Sequence, residues 1–268
     1  VLSKYDCDII INLAAEHKDF GITRAEYFHT NEGGTKILTE KAAAHGINKF
    51  IFYSSVAVYG ENREPSYEDM NPQPNNDYGD SKLAAEKVLY DWADKDATRG
   101  ILIIRPTVVY GERNLANMYR LIKQINSGMY FNIGSATNVK SIAYVKNLVE
   151  ATLYLKEKIK PGVDIYNYAD NPHISAREIG VIISKGLKRK SPITLPYGLV
   201  YMMGLPFDLL IKLTRKDLPI STHRIKKLCT QTYHKAEKVN EAGFKPKYNN
   251  VEGIQAMVNW FQIQNNLN

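Results

Sequence analysis

Residues 49–105 read KFIFYSSVAVYGENREPSYEDMNPQPNNDYGDSKLAAEKVLYDWADKDATRGILIIR. The two ends of this stretch, 49–53 (KFIFY) and 100–105 (GILIIR), are nearly continuous apolar runs of strand length. That is the pattern of strands buried on both faces. Between them, residues 61–77 are rich in Pro, Asn, Glu and Asp and read as a loop. Residues 78–94 place Leu83, Ala84, Val88, Leu89 and Trp92 on one side of a helix. A buried strand, a helix and a second buried strand predict parallel pairing through a crossover helix.

The pattern extends in both directions. Residues 8–13 (DIIINL) read as another strand buried on both faces. Residues 23–44 repeat apolar residues at helical spacing (Ala25, Phe28, Ile37, Leu38, Ala42), with Gly46 as a C-terminal cap. After Pro106 the rhythm changes. Helices are predicted over 117–127, 145–156, 176–187 and 251–265, and short strands over 129–133 and 164–168. The fold class is therefore α/β: a doubly wound parallel sheet followed by a smaller, mostly helical C-terminal lobe. The boundary falls near Gly111, dividing 1–112 from 113–268, with some later segments expected to return to the sheet.

The chain has 268 residues, 44% apolar and 24% charged, an ordinary globular composition. Its two cysteines, Cys7 and Cys229, cannot build a disulfide framework and read as reduced thiols of a cytoplasmic protein, Cys7 in the core. Residues 1–5 lack the features of a secretory leader. The longest apolar stretch, 193–213, is interrupted by Pro196, Gly198, Gly204, Pro206, Asp208 and Lys212. It reads as short helices over a core or pocket, with a lid or loose docking to a membrane surface as alternatives, rather than the roughly 20 uninterrupted apolar residues of a spanning segment. The formal charge is +7. Its excess gathers at 185–190, 212–216 and 224–227, a field that attracts an anionic small molecule. No aromatic residues interleave these runs, which argues against a nucleic-acid partner. No metal ligands are assigned.

The chemistry lies in Tyr78-Gly79-Asp80-Ser81-Lys82. Tyr and Lys four residues apart share one helix face. A free phenol, with a pKa of about 10, is a poor base at neutral pH. An adjacent ammonium favours the phenolate, so the spacing supplies an acid/base group. Ser54 and Ser55 close the strand before it, at the carboxyl end, where open α/β sheets bind ligands.

Five motifs in order then carry a resemblance. Asn12-Leu13-Ala14-Ala15, Asn31 in TNEGGT, FYSSVAVYG, YGDSK and RPTVVYG are similar to those of the NAD-dependent epimerase/dehydratase family, the extended short-chain dehydrogenases. SIAYVKNL (141–148), YNYADNPHISAREI (166–179), Gly243-Phe244-x-Pro246 and Trp260-Phe261 continue the likeness. The resemblance implies that 1–112 is part of a dinucleotide-binding domain and 113–268 mainly a substrate lobe. It implies Tyr78 as general base, Lys82 as the group that lowers its pKa and binds the cofactor ribose, and Ser55 as the holder of the reacting oxygen. Leu13, Ala14, Ala15, His17, Asn31, Ser54, Pro106 and Thr107 would surround NAD, with NADP also open. Lys140 stands where sugar-nucleotide epimerases often carry an arginine for the pyrophosphate, and keeps only its charge. A UDP- or dTDP-sugar is the implied substrate and a homodimer the implied assembly. The family's Gly-rich phosphate turn does not occur anywhere in the chain. The reading therefore expects two strand–helix units, roughly 60 residues, before residue 1.

Fold alone does not choose among the family's reactions. Family dehydratases place Asp-Glu directly after the strand-end hydroxyl. Here Val56 and Ala57 stand there and cannot move protons. The expected reaction is 4-epimerisation through a 4-keto sugar. The alternatives are NAD(P)H-dependent reduction of a 4-keto-6-deoxy sugar nucleotide and an inactive binding protein. Val108, where many galactose-type epimerases carry Asn, weighs against the first.

Overall fold

The computed structural model describes residues 7–18, 21–61, 65–214 and 221–266. Residues 1–5, part of the 61–77 loop and the end of the 212–216 basic run lie outside the described residues. In chain order the elements are β1 (Ile9–Asn12), α1 (Arg24–Phe28), a π-helical turn (His29–Gly33), α2 (Gly34–Ala44), β2 (Lys49–Tyr53), a 3-10 turn (Val56–Tyr59), α3 (Asp77–Ala93), β3 (Gly100–Pro106) and β4 (Val108–Tyr110). Next come α4 (Asn117–Asn126), β5 (Asn132–Ile133), β6 (Val139–Lys140), β7 (Ile142–Tyr144), α5 (Val145–Lys156), β8 (Gly162–Tyr168), β9 (Ile174–Ser175) and α6 (Ala176–Gly186). The last are β10 (Thr194–Leu195), α7 (Tyr197–Thr214), α8 (Thr222–Cys229), α9 (Glu237–Glu241) and α10 (Asn250–Asn266).

The chain divides into two compact units. The first comprises Val1–Val109, Val145–Ala169 and His234–Lys247. Its sheet has the order β1-β2-β3-β8, with every pair parallel. Helices cover both faces, as a doubly wound sheet requires. Phe50, Phe52, Ile101 and Ile103 pack with Ala42 of α2 and Ala85, Leu89 and Trp92 of α3. Tyr53 points the other way, its hydroxyl 2.6 Å from Thr152 on α5. This alternation follows from the two-residue period of a strand. Cys7 is partly buried against the same core.

β1 departs from the sequence reading. Ile10 and Asn12 are buried, but Ile11 is 41% exposed. Among the described residues β1 lies at one edge of the sheet.

The second unit comprises Tyr110–Tyr144, Asp170–Tyr233 and Tyr248–Asn268. It is mostly helical. Buried Ile122 and Ile125 of α4, Ile179 and Ile183 of α6, and Ile254, Met257, Val258 and Phe261 of α10 supply apolar faces for these three mutually packed helices. Two expectations are corrected here. The strand expected over 129–133 forms only at Asn132–Ile133, where it pairs with β10. The stretch 193–213 forms one 18-residue helix, α7, with Pro206 inside it, rather than several short ones. Gly204 does not break this helix. A Cβ there would lie 2.8 Å from Ile225 of α8, so glycine serves close helix packing. Among the described residues no helix is long and apolar enough to cross a membrane.

Candidate active site

The site is built at the carboxyl ends of β2 and β3. β2 stops at Tyr53, and Ser55 caps the following 3-10 turn, its hydroxyl accepting from the Ala57 amide at 3.1 Å. α3 begins just after Asn76, whose side chain accepts from the Gly79 amide at 2.8 Å. Gly79 lets α3 approach the Ser55 turn closely, since a Cβ there would sit 2.5 Å from the Ala57 carbonyl oxygen. The result sets the Ser55 hydroxyl by the Tyr78 phenol, where it favours the phenolate. Twenty-three residues of sequence separation close into one contact.

Burial pushes the Tyr78 phenol above its ordinary value, the Ser55 hydrogen bond opposes the rise, and Tyr27 adds to it. Lys82 is buried, and its Nζ lies over the Phe52 ring, 4.1 Å from the centroid. Burial pushes Lys82 down to about 8 against the pull of Glu86, one turn further along α3. Same-face spacing puts the two side chains on one side of the helix, but their chemical surroundings differ.

A buried polar network underlies this corner. Arg105 grips Glu86 with two bonds, 2.9 Å from Nε and 2.6 Å from the terminal nitrogen. Ser54 donates to the same carboxylate. Arg105 also donates to the Tyr59 hydroxyl at 2.8 Å, and Tyr59 donates to Asn167 at 2.8 Å. Burial disfavours the Arg105 charge, but Glu86 more than offsets this and raises its pKa. The Ser54 hydroxyl is thus committed within the protein.

Asn31 sits in the π-helical turn and is buried. Its carbonyl accepts from the Glu16 amide at 2.8 Å, and its amide donates to the Glu16 carbonyl at 3.1 Å and to Ser81 at 2.8 Å. Ser81 in turn donates to the Tyr78 carbonyl at 2.8 Å. Asn31 therefore ties the loop after β1 to α3. A π-helical turn re-aims one residue, and such turns favour functional sites.

In the tied loop Leu13, Ala14 and His17 are exposed and Ala15 is partly so. The His17 ring lies 3.5 Å from the Ala15 carbonyl. Pro106 ends β3 and Thr107 follows, both buried. The Thr107 hydroxyl has no hydrogen-bond partner among the described residues. A buried polar atom left open after β3, in the sheet whose β1 end carries the exposed Leu13 and Ala14, fits a flat, partly polar ligand such as a nicotinamide nucleoside. Lys140 belongs to the second unit, where its ammonium donates to the Thr230 carbonyl at 2.6 Å and burial lowers its pKa. Among the described residues no group of three or more His, Cys, Asp or Glu is arranged to hold a metal.

The sequence reading missed Glu86, Arg105, Ser81 and Asn167. Polar residues inside otherwise apolar strand and helix faces were the available signal.

Comparison with known proteins places these features in a family. The N-acetyl-alpha-D-glucosaminyl-diphospho-ditrans,octacis-undecaprenol 4-epimerase of Escherichia coli O157:H7 is 40% identical over 249 residues, covering 92% of this chain and 75% of that protein. The dTDP-D-glucose 4,6-dehydratase of Mus musculus is 27% identical over 95% of this chain and 68% of its own length. The structure of UDP-glucuronic acid 4-epimerase from Bacillus cereus in complex with NAD superposes with a TM-score of 0.76 at 22% identity, covering 98% of this chain and 78% of that one. The family model matches residues 1–169. With the parallel sheet, the Ser55–Tyr78 contact and these likenesses together, the chain belongs to the NAD dependent epimerase/dehydratase family.

Proposed function

We propose that the full-length protein is an NAD-dependent 4-epimerase of a hexose or N-acetylhexosamine carried on a diphosphate. The observation that carries this reading is the Ser55–Tyr78 contact beside buried Lys82, with Val56 and Ala57 in the two following positions. Neither Val nor Ala can exchange a proton with C5 or C6 of a sugar, so the dehydratase course lacks its acid and base. The 40% identical relative, by its name a 4-epimerase, supports the same choice.

In this reading Tyr78 accepts the proton of the sugar C4 hydroxyl, and Ser55 holds that oxygen through its own hydroxyl. Lys82 and Thr107 hold the cofactor's ribose and nicotinamide side. Leu13, Ala14 and Ala15 form the apolar edge against it. Asn31 and the Glu86–Arg105 pair act as positioning residues, keeping the loop and α3 in register. NAD, when bound, supplies the reversible hydride acceptor. After the 4-keto sugar turns its other face, Tyr78 returns the proton. The carrier on the diphosphate is either a nucleotide, as in the family at large, or a polyprenol, as in the name of the 40% identical relative.

The test is turnover of the full-length protein on UDP-N-acetylglucosamine and on its polyprenyl-diphosphate counterpart, with no added reductant. Formation of the 4-epimer from either is the expected result. Stoichiometric consumption of NADH or NADPH with a 4-keto sugar, and no epimer, would instead establish the reductase.

A further inference from the structure

We infer that α7 is a docking surface for an anionic lipid bilayer. This helix has two apolar sides. Val200 and Gly204 are buried, with Phe207 and Ile211 partly so, and these four recur at helical spacing toward the unit's interior. The opposite side carries Leu199, Met202, Met203, Leu210 and Leu213, with Pro206 between them, all exposed. Met202 is 62% and Leu213 73% exposed. From residue 199 to 213 the stripe runs about 21 Å. Isolated exposed apolar residues are ordinary, but a continuous row of this length marks an interaction site.

Charge selects the occupant. The second unit's segments contain fifteen Lys and Arg against six Asp and Glu, while those of the first contain twenty against twenty-two. The whole net positive charge therefore belongs to the unit that bears the stripe. Exposed Lys212 lies on α7 itself, and α8, packed on α7 through Gly204, adds exposed Lys226 and Lys227. Exposed Lys188, Arg189 and Lys190 follow α6. An apolar helix face with lysines about it is the composition of a helix that lies in the headgroup layer. Tyr197 and Tyr201, stacked with ring centroids 5.8 Å apart, stand at the start of the helix. Tyrosine rings favour the boundary between water and acyl chains. The buried side and Asp208, bonded to Thr222 of α8, keep the helix on its own unit, so it lies on a bilayer and does not span it.

This inference stands on the second unit's surface, not on the assignment of the reaction. The experiment is flotation of the full-length protein with vesicles of phosphatidylcholine, alone or mixed with phosphatidylglycerol, in the absence of substrate. Binding to the mixed vesicles, weakened by salt, is expected. Met202→Asp with Leu210→Asp should reduce it by on the order of tenfold or more, while turnover of a soluble substrate without vesicles stays unchanged. Should that variant fail to fold, Lys226→Glu with Lys227→Glu, at exposed positions, should lower binding to the anionic vesicles. Wild-type protein that floats with neither vesicle overturns the proposal, as do variants that float like wild type. A wild-type dimer that Met202→Asp with Leu210→Asp dissociates, without vesicle binding, would assign the stripe to a second copy instead. Flotation without epimerisation would leave the docking surface standing and remove the reaction.

Discussion

At the scale of single residues, Tyr78 and Lys82 carry separable burdens. Tyr78→Phe removes one hydroxyl and leaves the ring's packing, including its tilted contact with Tyr27 at 6.2 Å between centroids. Turnover should fall by roughly 10²–10⁴-fold, the usual contribution of a positioned acid/base group, while the denaturation midpoint moves little. Near-normal turnover in this variant would remove Tyr78 from the mechanism. Lys82 imposes a cost on the fold. Its pKa is depressed from 10.5 to about 8, so the folded state disfavours the charged form. That penalty is fully present below about pH 8 and is relieved as pH rises from there toward 10.5. Lys82→Met should therefore be inactive yet more stable than wild type near neutrality, by on the order of 2 kcal/mol, and the gap should shrink above pH 10.5. Denaturant unfolding of both proteins at the two ends of that window checks the sign. A variant no more stable at neutral pH contradicts it.

At the scale of elements, the strand ends and α3 are held together by pairs distant in sequence. Arg105 on β3 and Glu86 on α3 form a bidentate pair whose side chains are 2% and 0% exposed. Such pairs contribute little net stability against an apolar replacement, but breaking one leaves a buried charge. Glu86→Gln should cost about 3–5 kcal/mol. It should also lower turnover, because Ser54 and the β2 end lose their tether. Chemical denaturation measures the first effect. A loss well under 1 kcal/mol would show that Arg105 finds other partners. Legibility in the sequence follows the same division. Tyr78 and Lys82 could be read because a helix makes residues four apart neighbours. Glu86–Arg105 and Asn31–Ser81, separated by 19 and 50 positions, could not, because only the fold joins them. The α7 stretch was read as broken because Gly204 and Pro206 are weak helix formers in isolation. Packing against α8 overrides that local preference. β1 was read as two-faced from its apolar run, and Ile11 is 41% exposed.

At the scale of the whole molecule, one unit carries the parallel sheet with the Ser55–Tyr78 corner and a slight negative balance. The other carries the positive charge and the exposed helix stripe. The first was largely legible, since buried parallel strands announce themselves by composition. The second was less so, since short strands such as β5 and β6 are made by pairing rather than by local preference. The account's central claim is that Tyr78 moves a proton on a C4 oxygen while the hydrogen on C4 leaves and returns as hydride. Substrate deuterated at C4 tests this directly. In ordinary water the full-length protein should give the 4-epimer with the deuterium retained at C4. Epimer in which that deuterium has been exchanged for solvent hydrogen would contradict the account.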